Sequence, residues 1–395
     1  MKKLVLMLAL LWISNGCQRD LYLVDVQPLE NPIDFNADHP LKDSLDAIVA
    51  RHIRDGVPGI QVIVKDADGW YVTSQGYAQV EGKVPFRDNM VAWVYSITKI
   101  FTATLTMMAV EAGKISLDQT ISAYLPADLI DKLANYNRIT VRQLLNHSSG
   151  LRNFTVMPAY QLAQFNQPFS QPDLMEQLAF AYGKPALFEP GTDFYYSNTN
   201  YLLLQFILEQ VNKTDYRTLL QKNIVEPLQL KHFYLEPDDA QVKALGFPNY
   251  YFERHADGQL ENVTAWNNAI GQALAGYGGI AANGQDIILF LEALLEGKLI
   301  SQQSLEQMQT WITGKESTEP DYGLGLEYFT FGDPGIPTFG HEGDNIGGTT
   351  MVMYIPQKKR YLFISENAGR QLFGEYLFRT TDTKIEVCNF LAGVD

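Results

Sequence analysis

The strongest pattern along the chain is residues 97–110, where nearly every position is apolar or a threonine. A helix built from them has no side to give to solvent, so the pattern predicts a helix buried all round, closing at Gly113 where a C-terminal cap belongs. Before it, Leu41, Leu45, Ile48, Val49 and Ile53 recur at helical spacing and stop at Gly56, which predicts an amphipathic helix. Residues 60–64 and 70–73, joined by Asp66-Ala67-Asp68-Gly69, read as a hairpin. From Ser96 to about Phe290 helical patterns dominate, clearest over 140–145, 161–181, 201–211 and 286–295; Pro185, Pro190-Gly191 and the cluster from Gly276 to Gly279 interrupt them. Strands return at 349–355 and 361–365 as a second hairpin around Pro356-Gln357-Lys358-Lys359, and a last helix is expected over about 383–391. Strands at both ends of a helical middle predict one α/β domain over 41–395, its α/β part at about 41–95 and 320–395 and a helical insertion at about 96–319.

Composition narrows the function more than the fold. The chain has 395 residues, and 30 Lys and Arg stand against 45 Asp and Glu, with no basic run. Nucleic acid is a poor partner for such a surface. Six scattered histidines give no zinc pair, so neither metal nor cofactor is expected.

The N-terminus has Lys2-Lys3, a short apolar core over residues 4–13, then Ser14-Asn15-Gly16-Cys17. This is the plan of an export signal, too short to stay as a spanning helix. It resembles a bacterial lipoprotein signal, in which the cysteine becomes the lipidated first residue, although Ser14 stands where that pattern has an aliphatic residue. The alternative is an ordinary secretory signal cut nearby. The expectation is a signal peptide over 1–16, a tether over 17–40 with Pro28, Pro32 and Pro40, and a membrane anchor at Cys17 in the bacterial envelope, facing the periplasm or on the surface. The second cysteine is Cys388, so a lipidated Cys17 leaves no disulfide.

The candidate chemistry begins at Ser96 and Lys99. Three positions apart on a helix, they share a face. A desolvated lysine has a lowered pKa, and a neutral amine beside a serine can take its proton. Equally, Lys99 snorkels to solvent or pairs with a carboxylate. Taken alone, this short pattern leaves both readings open.

Two distant patterns add weight. Tyr196-Ser197-Asn198 follows the turn Pro190-Gly191-Thr192, and His341-Glu342-Gly343 precedes the C-terminal hairpin. Ser-x-x-Lys, Tyr-x-Asn and His-x-Gly, in this order and separation, resemble the serine beta-lactamase and penicillin-binding protein superfamily, in its class C branch with D-aminopeptidases, D,D-peptidases and esterases. The likeness extends over about 41–390, through residues 113–118, 139–151 and 322–325.

This resemblance implies the beta-lactamase/transpeptidase-like fold, an antiparallel sheet flanked by helices with a helical insertion. It implies Ser96 as the acylated nucleophile, Lys99 as its partner and Tyr196 as a second proton-transfer group, with the choice of base between the last two open. Asn198 would bond the substrate's acyl amide, and the backbone N–H groups of Ser96 and Asp344 would hold the oxyanion. His341, Glu342 and Gly343 would line the substrate site, and His147 is expected to be structural. The expected function is a serine hydrolase of esters or peptide-like amides; the alternatives are a beta-lactamase or D,D-carboxypeptidase, and a non-catalytic binder or sensor.

The third motif also bears on substrate. Lactamases usually have Lys-Thr-Gly there, which helps receive a carboxylate. A neutral His341 removes that cation, and Glu342, if it faces the cleft, adds repulsion. Three arrangements relieve it: Glu342 turned to His341, Arg370 reaching in, or a strand that points Glu342 away. The expected substrates have a neutral or cationic leaving portion, and penicillins are poor ones.

Overall fold

The structure is a computed structural model that describes residues 34–255, 257–315, 321–369 and 376–393. The export segment, Cys17, residues 17–33 of the tether and Arg370 lie outside the described residues. Helix α1 (Lys42–Arg54) leads into the hairpin β1 (Gly59–Asp66) and β2 (Gly69–Gln79), followed by the short β3 (Val84–Pro85). A turn of 3-10 helix, Tyr95–Ile97, opens α2 (Thr98–Glu111). The helical middle includes α3 (Asn198–Asn212) and α4 (Gly284–Leu295). The chain then returns through β4 (Asp321–Tyr322), β5 (Glu327–Phe331), β6 (Ile336–Asn345), β7 (Gly348–Ile355) and β8 (Arg360–Glu366), and closes with α5 (Tyr376–Gly393).

These strands form one antiparallel sheet in the order β3-β2-β1-β8-β7-β6-β5-β4. The two ends of the chain meet in its middle, where β1 pairs with β8 and Ile63 stands opposite Phe363. Alternation along the strands assigns the two faces. Ile60, Val62, Met351, Met353, Leu362 and Ile364 share one apolar core with Leu45 and Val49 of α1 and Val387 and Leu391 of α5. Ile63, Val352 and Phe363 point the other way, into the core built by α2, α3 and α4. With both faces covered, β1 reads as a nearly unbroken apolar run.

Helix α2 is as buried as its sequence demands, every residue from Thr98 to Met107 being inside. Its threonines are tolerated because their hydroxyls are satisfied locally: Thr104 and Thr106 each donate to the carbonyl four residues back, at 2.8 Å. Gly113, at φ +69°, ends the helix in the left-handed region. The expected 161–181 helix is two shorter ones, Pro158–Asn166 and Leu174–Ala179, split across Pro168 and Pro172 and restarted by an Asp173/Glu176 capping box. Strands β5 and β6 were not anticipated; β6 contains Gly340 and Gly343, which weaken its strand signal.

One glycine fixes how the returning chain meets α2. Gly325, at φ +84°, lies so close that an added Cβ would be 2.4 Å from Ala103 Cβ and 3.3 Å from the Lys99 carbonyl oxygen. Gly325→Ala therefore brings backbone strain of about 1–3 kcal/mol together with a clash. The expected result is a urea midpoint lowered with little change in the slope of the transition.

Candidate active site

Ser96 lies on the turn at the head of α2, and the backbone before it is strained: Tyr95 is a bulky residue at φ +48°. Its buried ring holds it there, with Asn267 Nδ2 donating to the hydroxyl at 3.0 Å. One helical turn on, Lys99 Nζ stands 2.9 Å from Ser96 Oγ and 2.8 Å from the Tyr277 carbonyl oxygen. Lys99 is fully buried, and desolvation takes its pKa well below the ordinary lysine value, against a smaller opposing pull from Glu327. A neutral amine that donates to the Tyr277 carbonyl keeps its lone pair for the serine proton. The rings of Tyr196, Tyr201 and Tyr277 surround the nitrogen, with centroids at 5.0, 5.6 and 5.8 Å.

Asn198 is the first residue of α3, after Ser197 as N-cap. Its Nδ2 donates to Thr155 Oγ1 at 3.1 Å, and that hydroxyl donates onward to Asn153 Oδ1 at 2.9 Å. The chain of donors fixes the amide's orientation and leaves Asn198 Oδ1 a buried acceptor without a partner among the described residues. His147 packs behind Tyr196, with ring centroids 4.4 Å apart. Its Nδ1 accepts from Ser197 N–H and Asn200 Nδ2, and burial lowers its pKa well below the usual value. These contacts fit the structural part expected of it.

On β6, His341 and Gly343 face the nucleophile. A Cβ on Gly343 would lie 2.3 Å from the Val94 carbonyl oxygen and 3.1 Å from Ser96 N, so only glycine lets this strand pass so near the serine's backbone. His341 is held neutral, its pKa pushed down to about 3 by burial first and then by Lys99. Nδ1–H donates to the Glu342 carbonyl oxygen at 2.5 Å, and Nε2 accepts from the Tyr322 hydroxyl at 2.9 Å. Both ring nitrogens are therefore occupied.

Glu342 is not in the site. It pairs with Met351 across the ladder, and Met351 belongs to the core beneath α1 and α5. Strand alternation thus turns Glu342 away from the nucleophile, onto Lys384 of α5 at 2.7 Å. Asp344 follows the same parity, its carboxylate 3.7 Å from Lys384 Nζ and bonded to Thr349. Of the residues named from sequence, the fold brings Ser96, Lys99, Tyr196, Asn198, His341 and Gly343 close together, and Asp344 lines the same cleft; Glu342 lies on the far face.

The cleft opens into a cavity of about 670 Å³ lined by Ser96, Asn198, Tyr277 and Asp344 among others. Among the described residues no cluster of His, Cys, Asp or Glu could hold a metal ion, and no helix is long and apolar enough to cross a membrane.

The beta-lactamase family model matches residues 45–375. The chain belongs to the beta-lactamase family. Penicillin-binding protein 4* of Bacillus subtilis (strain 168) is 26% identical over 321 residues, 78% of this chain and 67% of that protein. A putative D-alanyl-D-alanine carboxypeptidase of Escherichia coli O157:H7 is 25% identical over 369 residues, 86% of this chain and 83% of its own. Among solved structures, the D-amino acid amidase of Ochrobactrum anthropi SV3 complexed with L-phenylalanine amide shares the fold, with a TM-score of 0.76 at 24% identity over 89% of this chain and 98% of that one. This beta-lactamase-family protein is a serine hydrolase.

Sequence reading gave no part to two charged residues of this family member. Glu327 of β5 is buried, accepts the Glu342 N–H at 2.7 Å and lies 3.6 Å from His341 Nδ1. Lys384 is buried on the apolar stripe it shares with Val387, Cys388 and Leu391, a stripe visible in sequence. Its pKa is raised by Asp344 and Glu342 against the cost of burial.

Two outcomes follow from these charges. Lys384→Met leaves Glu342 and Asp344 without their cation and is expected to cost on the order of 3 kcal/mol in urea unfolding, part of which Glu342→Gln in the same chain restores. In pH-rate measurements, hydrolysis should fall as pH drops through the lowered pKa of Lys99, because protonation removes the lone pair. His341, at about 3, should add no limb above pH 5.

Proposed function

We propose that this protein cleaves esters or amides through an acyl-enzyme at Ser96, with Lys99 as the base for acylation. The observation that carries the reading is the buried Lys99 Nζ at 2.9 Å from Ser96 Oγ and 2.8 Å from the Tyr277 carbonyl oxygen, in surroundings whose desolvation takes its pKa well below the usual lysine value. Ser96 Oγ attacks the substrate carbonyl carbon as its proton moves to Lys99 Nζ. The carbonyl oxygen becomes an oxyanion between the N–H groups of Ser96 and Asp344. As the tetrahedral centre collapses, the bond to the leaving group breaks, and Tyr196, in the aromatic ring around Lys99, delivers the proton to that group. Water then attacks the acyl-enzyme by the reverse proton route, releasing the acid and restoring Ser96.

The substrate's leaving portion is proposed to lack a carboxylate that needs a fixed cation. His341 is neutral and both its nitrogens are occupied. Repulsion by Glu342 plays no part, since that side chain is on the far face. The case for a preference for cationic leaving groups therefore falls away, while that for a neutral one remains. The relatives named as penicillin-binding protein and carboxypeptidase support an envelope location; export by residues 1–16 and anchoring at Cys17 rest on the sequence pattern alone.

A fluorophosphonate should add one adduct to the intact mass of the wild type and none to folded Ser96→Ala. The wild type should turn over a neutral ester about a hundredfold or more faster than benzylpenicillin, about 2.7 kcal/mol in barrier height. Equal labelling of the mutant would overturn the assignment of Ser96, and no labelling of either would favour a binder that keeps the fold.

A further inference from the structure

Where β6 passes the nucleophile, it is held by one neighbouring strand. Its backbone pairing with β5 stops at Gly340, opposite Glu327, whereas its pairing with β7 runs on from His341 to Asn345. The segment that carries Gly343 and Asp344 therefore has no strand beside it on the β5 side among the described residues. A strand bonded along one edge is freer to shift than one bonded along both. Strand β7 is itself tied to the nucleophile's turn: Thr350 Oγ1 donates to the Val94 carbonyl oxygen at 3.1 Å, two residues before Ser96.

Further support for this segment comes from the far face of the sheet. Lys384 of α5 is 3% exposed, and its Nζ lies 2.7 Å from Glu342 Oε1, 3.1 Å from Thr349 Oγ1 and 3.7 Å from Asp344 Oδ1. Thr349 stands opposite Asp344 in the ladder and donates to the same carboxylate. One ammonium thus gathers three side chains from two strands at the level of Asp344. Burial lowers the pKa of Lys384, and Asp344 and Glu342 more than reverse that. A third carboxyl on this face, Glu366 of β8, stands opposite Thr349; burial lifts its pKa well above the usual carboxylate value, which weakens its claim on the cation. Stability alone does not call for such a cluster, because apolar residues of similar volume commonly replace a buried ion pair without loss, and α5 already packs Val387, Cys388 and Leu391 against the same core. What the ammonium adds is direction, since charged hydrogen bonds fix the carboxylates that meet it.

We propose that Lys384 is a positioning residue for the hydrolysis: by drawing the carboxylates of Asp344 and Glu342 onto α5, it fixes the backbone of β6 at Asp344 and so aims the Asp344 N–H at the oxyanion. The inference rests on the reading in which Ser96 forms the acyl-enzyme and that N–H stabilises the tetrahedral centre. Lys384 touches neither substrate nor nucleophile; it acts through the sheet. Without it, two carboxylates share a dry face with no cation between them and move apart, and because the side chain and the N–H of Asp344 belong to one residue, turning the first turns the second. A donor in such a hole works by being in place before the charge develops, and a misplacement of about 1 Å costs on the order of a hundredfold in rate.

The test uses the full chain and a pair of aryl esters that differ only in having C=O or C=S at the reacting carbon. Sulfur is a larger and weaker acceptor, so the preference for the oxygen ester reports how well the hole is formed; in the wild type it should be about a hundredfold or more. Lys384→Met, measured on folded protein with active sites counted by fluorophosphonate, should lower kcat for the oxygen ester about 10–100-fold with KM changed less than about threefold, and should bring the oxygen to sulfur ratio below about tenfold. Lys384→Arg, which keeps the charge, should recover part of both. A purely structural role would lower the number of titrated sites, scale both esters alike and leave the ratio intact. Asp344→Asn keeps the shape of the side chain and leaves Lys384 paired with Glu342; it should reduce the same ratio and decides the matter if Lys384→Met does not fold. An unchanged ratio in whichever of these two variants folds would overturn the proposal. Failure of the underlying reading looks different: the wild type would hydrolyse both esters equally, or Ser96→Ala would turn them over as well as the wild type does.

Discussion

The molecule depends on keeping one lysine amine out of water. A lysine buried away from solvent is costly to charge, a cost that the tyrosine rings around its nitrogen offset only in part, and the fold puts it at the place where a neutral amine is useful. Burial on α2 removes the water, the Tyr277 carbonyl fixes one N–H, and the lone pair is left toward Ser96. The two histidines nearby have their pKa values lowered by the same burial, and the charge that reaches this region is the buried Glu327, 3.6 Å from His341 Nδ1.

Charge has been moved to the other face of the sheet. Lys384, Glu342 and Asp344 lie under β6 and tie it to α5, while His341 and Gly343 from the same strand face the serine. One strand therefore carries two environments, separated by the alternation of its side chains. The pairing of Glu342 with Lys384 anchors the strand whose backbone passes close to Ser96 N.

Much of this was legible in the sequence because it is local. The threonine-rich helix, both hairpins and the amphipathic helix before the first strand each show their own periodicity, and the three short motifs stood out by order and separation. What escaped was set by strand pairing and packing rather than by local periodicity. The direction of Glu342 depends on its pairing with Met351, and Glu327 acquires its surroundings only when β5 lies beside β6. Lys384 was half legible: a lysine on an apolar stripe asks for a buried partner, but nothing local says that the partner is forty residues upstream. The long 161–181 pattern misled because apolar spacing persisted through two prolines that the backbone could not ignore.

The central seam of the sheet, where β1 meets β8, also sets the timing of assembly. The hairpin that leaves the ribosome early has its inner edge unpaired until residues 360–366 have been made, nearly three hundred positions later. Contacts of such separation make folding slow and leave an apolar strand edge without its neighbour for most of synthesis. The sheet is complete only when the last strand docks against the first hairpin.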